Sequence, residues 1–217
     1  MPTLGLQAQT VDLLWRGDTY TPPFYKGRTL WSNQSRISFV ALPHGLGNPQ
    51  SLSYKWTKDG TVLGNINGVG KNTLTFVDSV FSRPQVVKVD ILSSDKKSVL
   101  ATASVLVSPI PPLLTIYENN PLYGFMFHRE TTGTFGLSEK EVTFTAFPLF
   151  FSASSRLDNT MAYEWKTNVG TDAETNNSVT YRSPDNAAGA SEVQVSASMA
   201  DKIMQTAHNN FLVKFGI

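Results

Sequence analysis

The feature that most constrains this chain is an internal repeat. SRISFVALP (35–43) returns as KEVTFTAFP (140–148), LSYKWTKDG (52–60) as MAYEWKTNVG (161–170), and NTLTFV (72–77) as NSVTYR (177–182). VVKVDI (86–91) returns as EVQVSA (192–197), and ATASVLV (101–107) as AHNNFLV (207–213). Five segments in one order, offset by about 105 residues, mark a duplicated structural unit. The boundary falls near SPIPPLL (108–114), where prolines cannot continue a hydrogen-bonded ladder and form a short, stiff link. The chain therefore divides into residues 1–110 and 111–217.

Within each copy the apolar pattern has period two. ISFVAL, LSYKW, TLTFV, VVKVDIL and ATASVLV are separated by turn clusters such as PHGLGNPQ, KDG and SSDKK. Short alternating strands with regular turn signals predict an all-β sandwich. SMADKIMQTAH (198–208) has some helical spacing, but the repeat favours a hairpin with its turn at ADK.

Tyr54-Lys55-Trp56 and Tyr163-Glu164-Trp165 put Tyr and Trp on one face of a strand and the charged residue on the other. A Y-x-W strand, a turn, TLTF, V-x-V and a last A-x-A-x-V-x-V strand together resemble bacterial Ig-like and PKD-type domains. The resemblance covers both halves and implies two tandem Ig-like β-sandwiches, with each Trp packed between its sheets. PPFYKG, IYENNPLYG and the two Y-x-W strands also look like exported proteins of candidate-phylum bacteria, which implies an extracellular or cell-surface location. The fold hosts many roles, so no activity comes with the likeness. The cysteine pair of antibody domains is missing, as the chain has no cysteine.

Composition excludes several function classes. Lys and Arg number 18 against 17 Asp and Glu, without a basic stripe, so the electrostatic footprint of a nucleic-acid binder is absent. No segment has the ~18 apolar residues of a membrane span. Met1 stands almost directly before a strand-like run and the chain stops inside FLVKFGI, so we read it as a piece of a longer protein.

Candidate chemistry is sparse. His44, His128 and His208 share no metal-ligand spacing, and no nucleophile elbow or paired carboxylates stand out. GNINGVGK (64–71) lacks the Ser or Thr and the helix of a phosphate loop and reads as a hairpin loop. Loop oxygens at Asp59, Asp78, Asp158–Asn159 and Asp172–Glu174 are the only calcium candidates. Arg16-Gly17-Asp18 is an integrin-type tripeptide that needs an exposed loop tip, and Lys88 is a solvent-facing strand residue rather than a buried isopeptide donor. No catalytic, cofactor or metal residue is therefore assigned.

The aromatic stretches are what remains. Phe147, Leu149, Phe150 and Phe151 fall at the loop after the second strand of copy two, where they would meet copy one and set the angle between the two, pack only into their own core, or form a partner patch. DTYTPPFYKGRTL (18–30) recurs as the proline-aromatic-glycine run of ENNPLYGFMF (118–127), aligned with Trp15 opposite Tyr117. There proline would end the first strand's ladder, the aromatics would plug the sandwich edge, and Gly27 or Gly124 would supply the bend. Tyr20 and Lys26 have no counterparts in copy two and are ligand candidates. Tyr20, Phe24 and Tyr25 would serve as a sugar platform only if exposed and coplanar. The expected function is a non-enzymatic spacer or adhesion-type module of an exported bacterial protein that meets another protein or a cell-surface component. The alternative is a carbohydrate- or peptide-binding accessory module.

Overall fold

The computed structural model describes residues 8–168, 175–185 and 188–216. Strands account for nearly all regular structure, and no α-helix occurs among the described residues. In the first half the strands are β1 (Thr10–Asp18), β2 (Arg36–His44), β3 (Ser53–Lys58), β4 (Thr61–Val62), β5 (Gly68–Val69), β6 (Thr73–Val77), β7 (Gln85–Leu92) and β8 (Val99–Val107). In the second they are β9 (Leu113–Asn120), β10 (Gly124–Phe125), β11 (Gly133–Gly136), β12 (Glu141–Leu149), β13 (Met161–Thr167), β14 (Ser178–Arg182), β15 (Gly189–Met199) and β16 (Lys202–Phe215).

The first half pairs β1-β2-β6 in one sheet and β4-β3-β7-β8 in the other, with β5 also on β3. The second pairs β10-β9-β12-β14 in one sheet and β11-β16-β15-β13 in the other. In the first copy β1, β2 and β6 thus face β3, β7 and β8, and in the second β9, β12 and β14 face β13, β15 and β16, which is the Greek-key order of an Ig-like sandwich. The chain is two tandem Ig-like β-sandwiches. Ser198 to Lys202 form the hairpin turn that the repeat implied.

Each sandwich has its own apolar core. Trp31, Ile37, Phe39, Tyr54, Trp56, Val89 and Ile91 lie in the first; Ile116, Phe144, Ala146, Phe151, Trp165, Val195 and Phe211 lie in the second. The Y-x-W pattern explains both: Tyr54 and Trp56 are buried, and Lys55 between them is not. Each indole N–H finds a carbonyl, Trp56 at Lys71 O (2.8 Å) and Trp165 at Asn176 O (2.8 Å). A fully buried side chain of this size contributes roughly 1.5–3 kcal/mol, which a cysteine-free core needs.

The first strand of each copy leaves its sheet and crosses to the other. In the second half β9 pairs antiparallel with β12, and β11 then pairs parallel with β16. In the first half the same switch ends in a parallel bridge of Ser32 to Ile110. Ile110 N–H donates to Trp31 O (3.0 Å), so the linker residue is itself part of the first sandwich. Only Pro111 and Pro112 then separate that bridge from β9, a link with fixed φ angles and no donors.

Two expectations need correction. Trp15 pairs with Phe39 and Glu118 with Phe144, so Glu118, not Tyr117, is the counterpart of Trp15. The slip of one residue moves Tyr117 to the outer face of its sheet. Phe147 and Leu149 also belong to β12 itself, and only Phe150 and Phe151 begin the following loop.

Candidate functional site

The densest cluster outside the two cores is the seam between the sandwiches, and residues 17–34 build one side of it. Gly17 N–H donates to Thr29 O (2.8 Å), Thr29 Oγ1 donates to Gly17 O (2.7 Å), and Thr19 Oγ1 donates to Leu30 O (2.9 Å). The strand and the returning chain are so close that a Cβ on Gly17 would stand 2.3 Å from Leu30 O. Glycine is required here by steric approach. Arg16-Gly17-Asp18 lies in the β1–β2 ladder rather than at a loop tip.

The excursion that follows is braced. Tyr25 N–H donates to Pro22 O (3.0 Å), Tyr25 Oη donates to Arg28 O (2.9 Å), and the Arg28 guanidinium sits 4.6 Å from the Trp15 ring centre. Gly124 takes a left-handed conformation at φ +71°, whereas Gly27 is outside the left-handed region and meets the Tyr25 ring. The aromatics do not plug the edge of their own sandwich. Phe24 reaches the second half, with ring centres 5.1 Å from Tyr117, 4.5 Å from Phe127 and 5.7 Å from Phe147. Tyr25 meets Phe150 edge-on at 5.4 Å.

The receiving surface is the outer face of the β9–β12 sheet. Tyr117, Phe147, Leu149 and Phe150 are buried, yet none belongs to either core. Phe125 and Phe127 fold back over the same face, and Arg156 stacks 5.2 Å from Phe125 and 5.3 Å from Phe147. Rings at 5–6 Å with steep interplanar angles gain about 0.5–1.5 kcal/mol per pair beyond area burial. Phe151 differs from its neighbours in joining the second core.

Beside the rings lies a closed polar network. Tyr20 N–H donates to Phe151 O and Phe150 N–H donates to Tyr20 O, both at 2.7 Å, a two-bond bridge of the kind found in a ladder. Ser32 Oγ donates to Phe150 O (2.6 Å). Gln205, fully buried at 0% exposure, accepts from Ser152 N–H (2.8 Å) and donates to Ser32 Oγ (2.9 Å) and to Asn33 O. Gln34 Oε1 accepts from Met204 N–H (2.7 Å). Satisfied donors and acceptors around the buried Ser32 and Gln205 define one geometry, because any slip leaves a buried polar group unpaired. Phe150 (φ +62°) and Gln34 (φ +59°) both hold the left-handed backbone that bulky residues avoid, at roughly 1–3 kcal/mol each, and both are fixed by these bonds.

Burial pushes the Tyr20 phenol up, with Arg156 drawing it partly back, and also raises Tyr117 and, more strongly, Tyr163. Phe24 and Tyr25 meet rings of the second half at steep angles and Tyr20 is half-buried, so the three form no coplanar exposed platform, and Lys26 is exposed.

The remaining candidates are dispersed. His44 Nε2 lies 3.0 Å from Asp12 Oδ2 at the end of β2, and His128 and His208 are exposed elsewhere. Asp59 caps Val86 N–H, and Asp78 faces Lys58 and Gln85. The Asp158 carboxylate accepts from the N–H and hydroxyl groups of Ser154 and Thr160, which hold it well below the usual carboxylate range. Asp172 and Glu174 lie outside the described residues. Among the described residues no three His, Cys, Asp or Glu come together as metal ligands, and no helix is long and apolar enough to cross a membrane. GNINGVGK forms a short 3-10 turn and β5 against β3, with Asn67 Oδ1 accepting from Trp56 N–H (2.8 Å).

Sequence reasoning missed Ser32, Gln34, Gln205 and the destination of Phe24. Ser32 and Gln34 stand outside the strands and carry no periodic signal. The cues were the excess length of residues 19–30 over their counterpart and the position of Gln205 in phase with Ala207, Phe211 and Val213 on β16.

No family model and no curated protein matches the sequence. Among solved structures, the three N-terminal domains of the bacteriophage RB49 highly immunogenic outer capsid protein are similar at 19% identity. That match covers 96% of this chain and 59% of the other, with a TM-score of 0.49. Chicken CNTN1 FN1–FN3 domains match at 10% identity over 87% and 64% of the two chains, TM-score 0.31. Latent PorU from Porphyromonas gingivalis matches at 11% over 96% and 24%, TM-score 0.33. This chain thus spans under two thirds of each of these structures, and the sandwich assignment rests on its own strand order.

Proposed function

We propose that the chain is a non-enzymatic structural and interaction module of an exported bacterial protein, working outside the cell or on its surface. Its two domains, 1–110 and 111–217, are held at one angle. The observation that carries this reading is the seam. Four large side chains that belong to neither core are buried there, and a fully bonded Ser32–Gln205–Phe150 network locks the register. A flexible pair would leave such aromatics in water, and an aqueous linker would suffice to join them. Residues 18–30 act as a clasp from the first domain onto the second, which turns a two-proline link into a rigid joint. Rigidity sets the distance and direction at which exposed loops meet another protein or a surface component.

Small-angle scattering tests this. The parent chain is expected to scatter as one rigid two-lobed body. Phe150→Asp puts a charge into the seam, and its scattering should broaden to that of freely moving lobes. A variant with the parent's rigid profile would overturn the reading.

A further inference from the structure

The second domain carries its own version of the clasp, and there it is exposed. Pro23-Phe24-Tyr25, followed by Gly27, matches Pro121-Leu122-Tyr123-Gly124, and both runs lie between the first strand of a sandwich and its crossing to the other sheet. In the first domain Phe24 and Tyr25 are the two side chains of this run that reach the neighbouring domain. In the second, Leu122 is 84% and Tyr123 76% exposed. The tip shares a groove with Glu139–Thr143 and Arg182–Asp185, at the start of β12, whereas the seam lies at its end.

The tip is built, not frayed. Asn120 Oδ1 accepts from Leu122 N–H (3.0 Å) and Tyr123 N–H (3.3 Å), and Asn120 Nδ2 donates to Glu118 Oε1 (2.9 Å). Gly124 then turns the chain back along β9. Two large apolar side chains held outward by a fixed turn are preorganised for contact.

We infer that Leu122 and Tyr123 form a docking surface for the upper end of a further sandwich of this same type, the end that presents a β12-like strand terminus and the loop after it. The repeat supplies the occupant, because the matching run in the first domain seats on that end of its neighbour. The second clasp follows β9 directly, whereas Phe24 lies well beyond β1, and leucine replaces phenylalanine. The contact it makes is therefore shallower and carried by side chains. This inference rests on the reading of the existing seam as a rigid joint.

The test is a chain of residues 1–217 followed by a second copy of 111–217. Because the protein has no cysteine, Lys166→Cys in both copies places two unique spin labels on exposed strand positions. The expected result is a narrow inter-label distance distribution, lost on Leu122→Asp with Tyr123→Asp in the first copy only, which widens it to that of a free linker. A broad distribution without those substitutions overturns the inference, and so does a narrow one that they leave unchanged. A second label pair, Ser104→Cys with Lys166→Cys in the 217-residue chain, reports the existing joint. If that pair is narrow while the three-domain chain is broad, the docking surface alone is wrong; if it is broad, the rigid-joint reading has failed first. Unchanged thermal melting shows that the exposed double substitution has not unfolded its domain.

Discussion

Gln205→Leu is the sharpest perturbation of the seam. The side chain is fully buried and serves both domains, accepting from Ser152 N–H on its own side and donating to Ser32 Oγ and Asn33 O on the other. Leucine fills nearly the same space and bonds none of them. Ser32 Oγ keeps its bond to Phe150 O, but Ser152 N–H and Asn33 C=O lose the partners seen here. At about 1–3 kcal/mol for each buried group left unpaired, the two together cost about 2–6 kcal/mol. For a chain of this size melting as one unit that is a fall in Tm of roughly 4–24 °C. Calorimetry with and without Ser32→Ala completes a double-mutant cycle. The two residues are in direct contact, so the double variant should lose about 1 kcal/mol less than the sum of the singles. A Gln205→Leu protein melting within about 1 °C of the parent would show that the network does not hold the seam.

Phe24→Ala removes a half-buried ring from the aromatic cluster; denaturant unfolding should show a loss of about 1–2 kcal/mol, below the range for full core burial. Gly17→Ala forces the returning chain away from β1 and should cost at least about 1–3 kcal/mol by the same measurement, whereas Arg16→Ala should change stability by under about 0.5 kcal/mol. Tyr163 ionises with difficulty in the folded state, because burial raises it above the ordinary phenol value of 10.0. Its contribution is intact below that value and is lost as pH rises above it, since the unfolded chain releases the proton first. Unfolding midpoints should therefore fall above about pH 10, and Tyr163→Phe should flatten the fall.

Much of the fold is legible in the sequence because strands, turns and a repeat all have periods. Tyr54, Trp56 and their second-copy counterparts announce a sandwich core by alternation alone. The crossing of the first strand was also foreshadowed by the recurring proline. The destination of that crossing was not, because Phe24 obeys no local period and its partners lie about a hundred residues away. Trp15 and Tyr117 look equivalent by eye, yet a one-residue slip sends one toward the core and the other to the outer face. Ser32 and Gln34 read as ordinary surface polars, since the partners they bond lie in the other domain.

The central claim is that two sandwiches keep one mutual orientation through the 18–30 clasp. Residual dipolar couplings measured on the backbone amides of both domains in one alignment medium test it most directly. A rigid joint predicts that a single alignment tensor fits both domains of the parent chain and that Phe150→Asp splits it in two. Separate tensors of unequal magnitude in the parent would contradict the account.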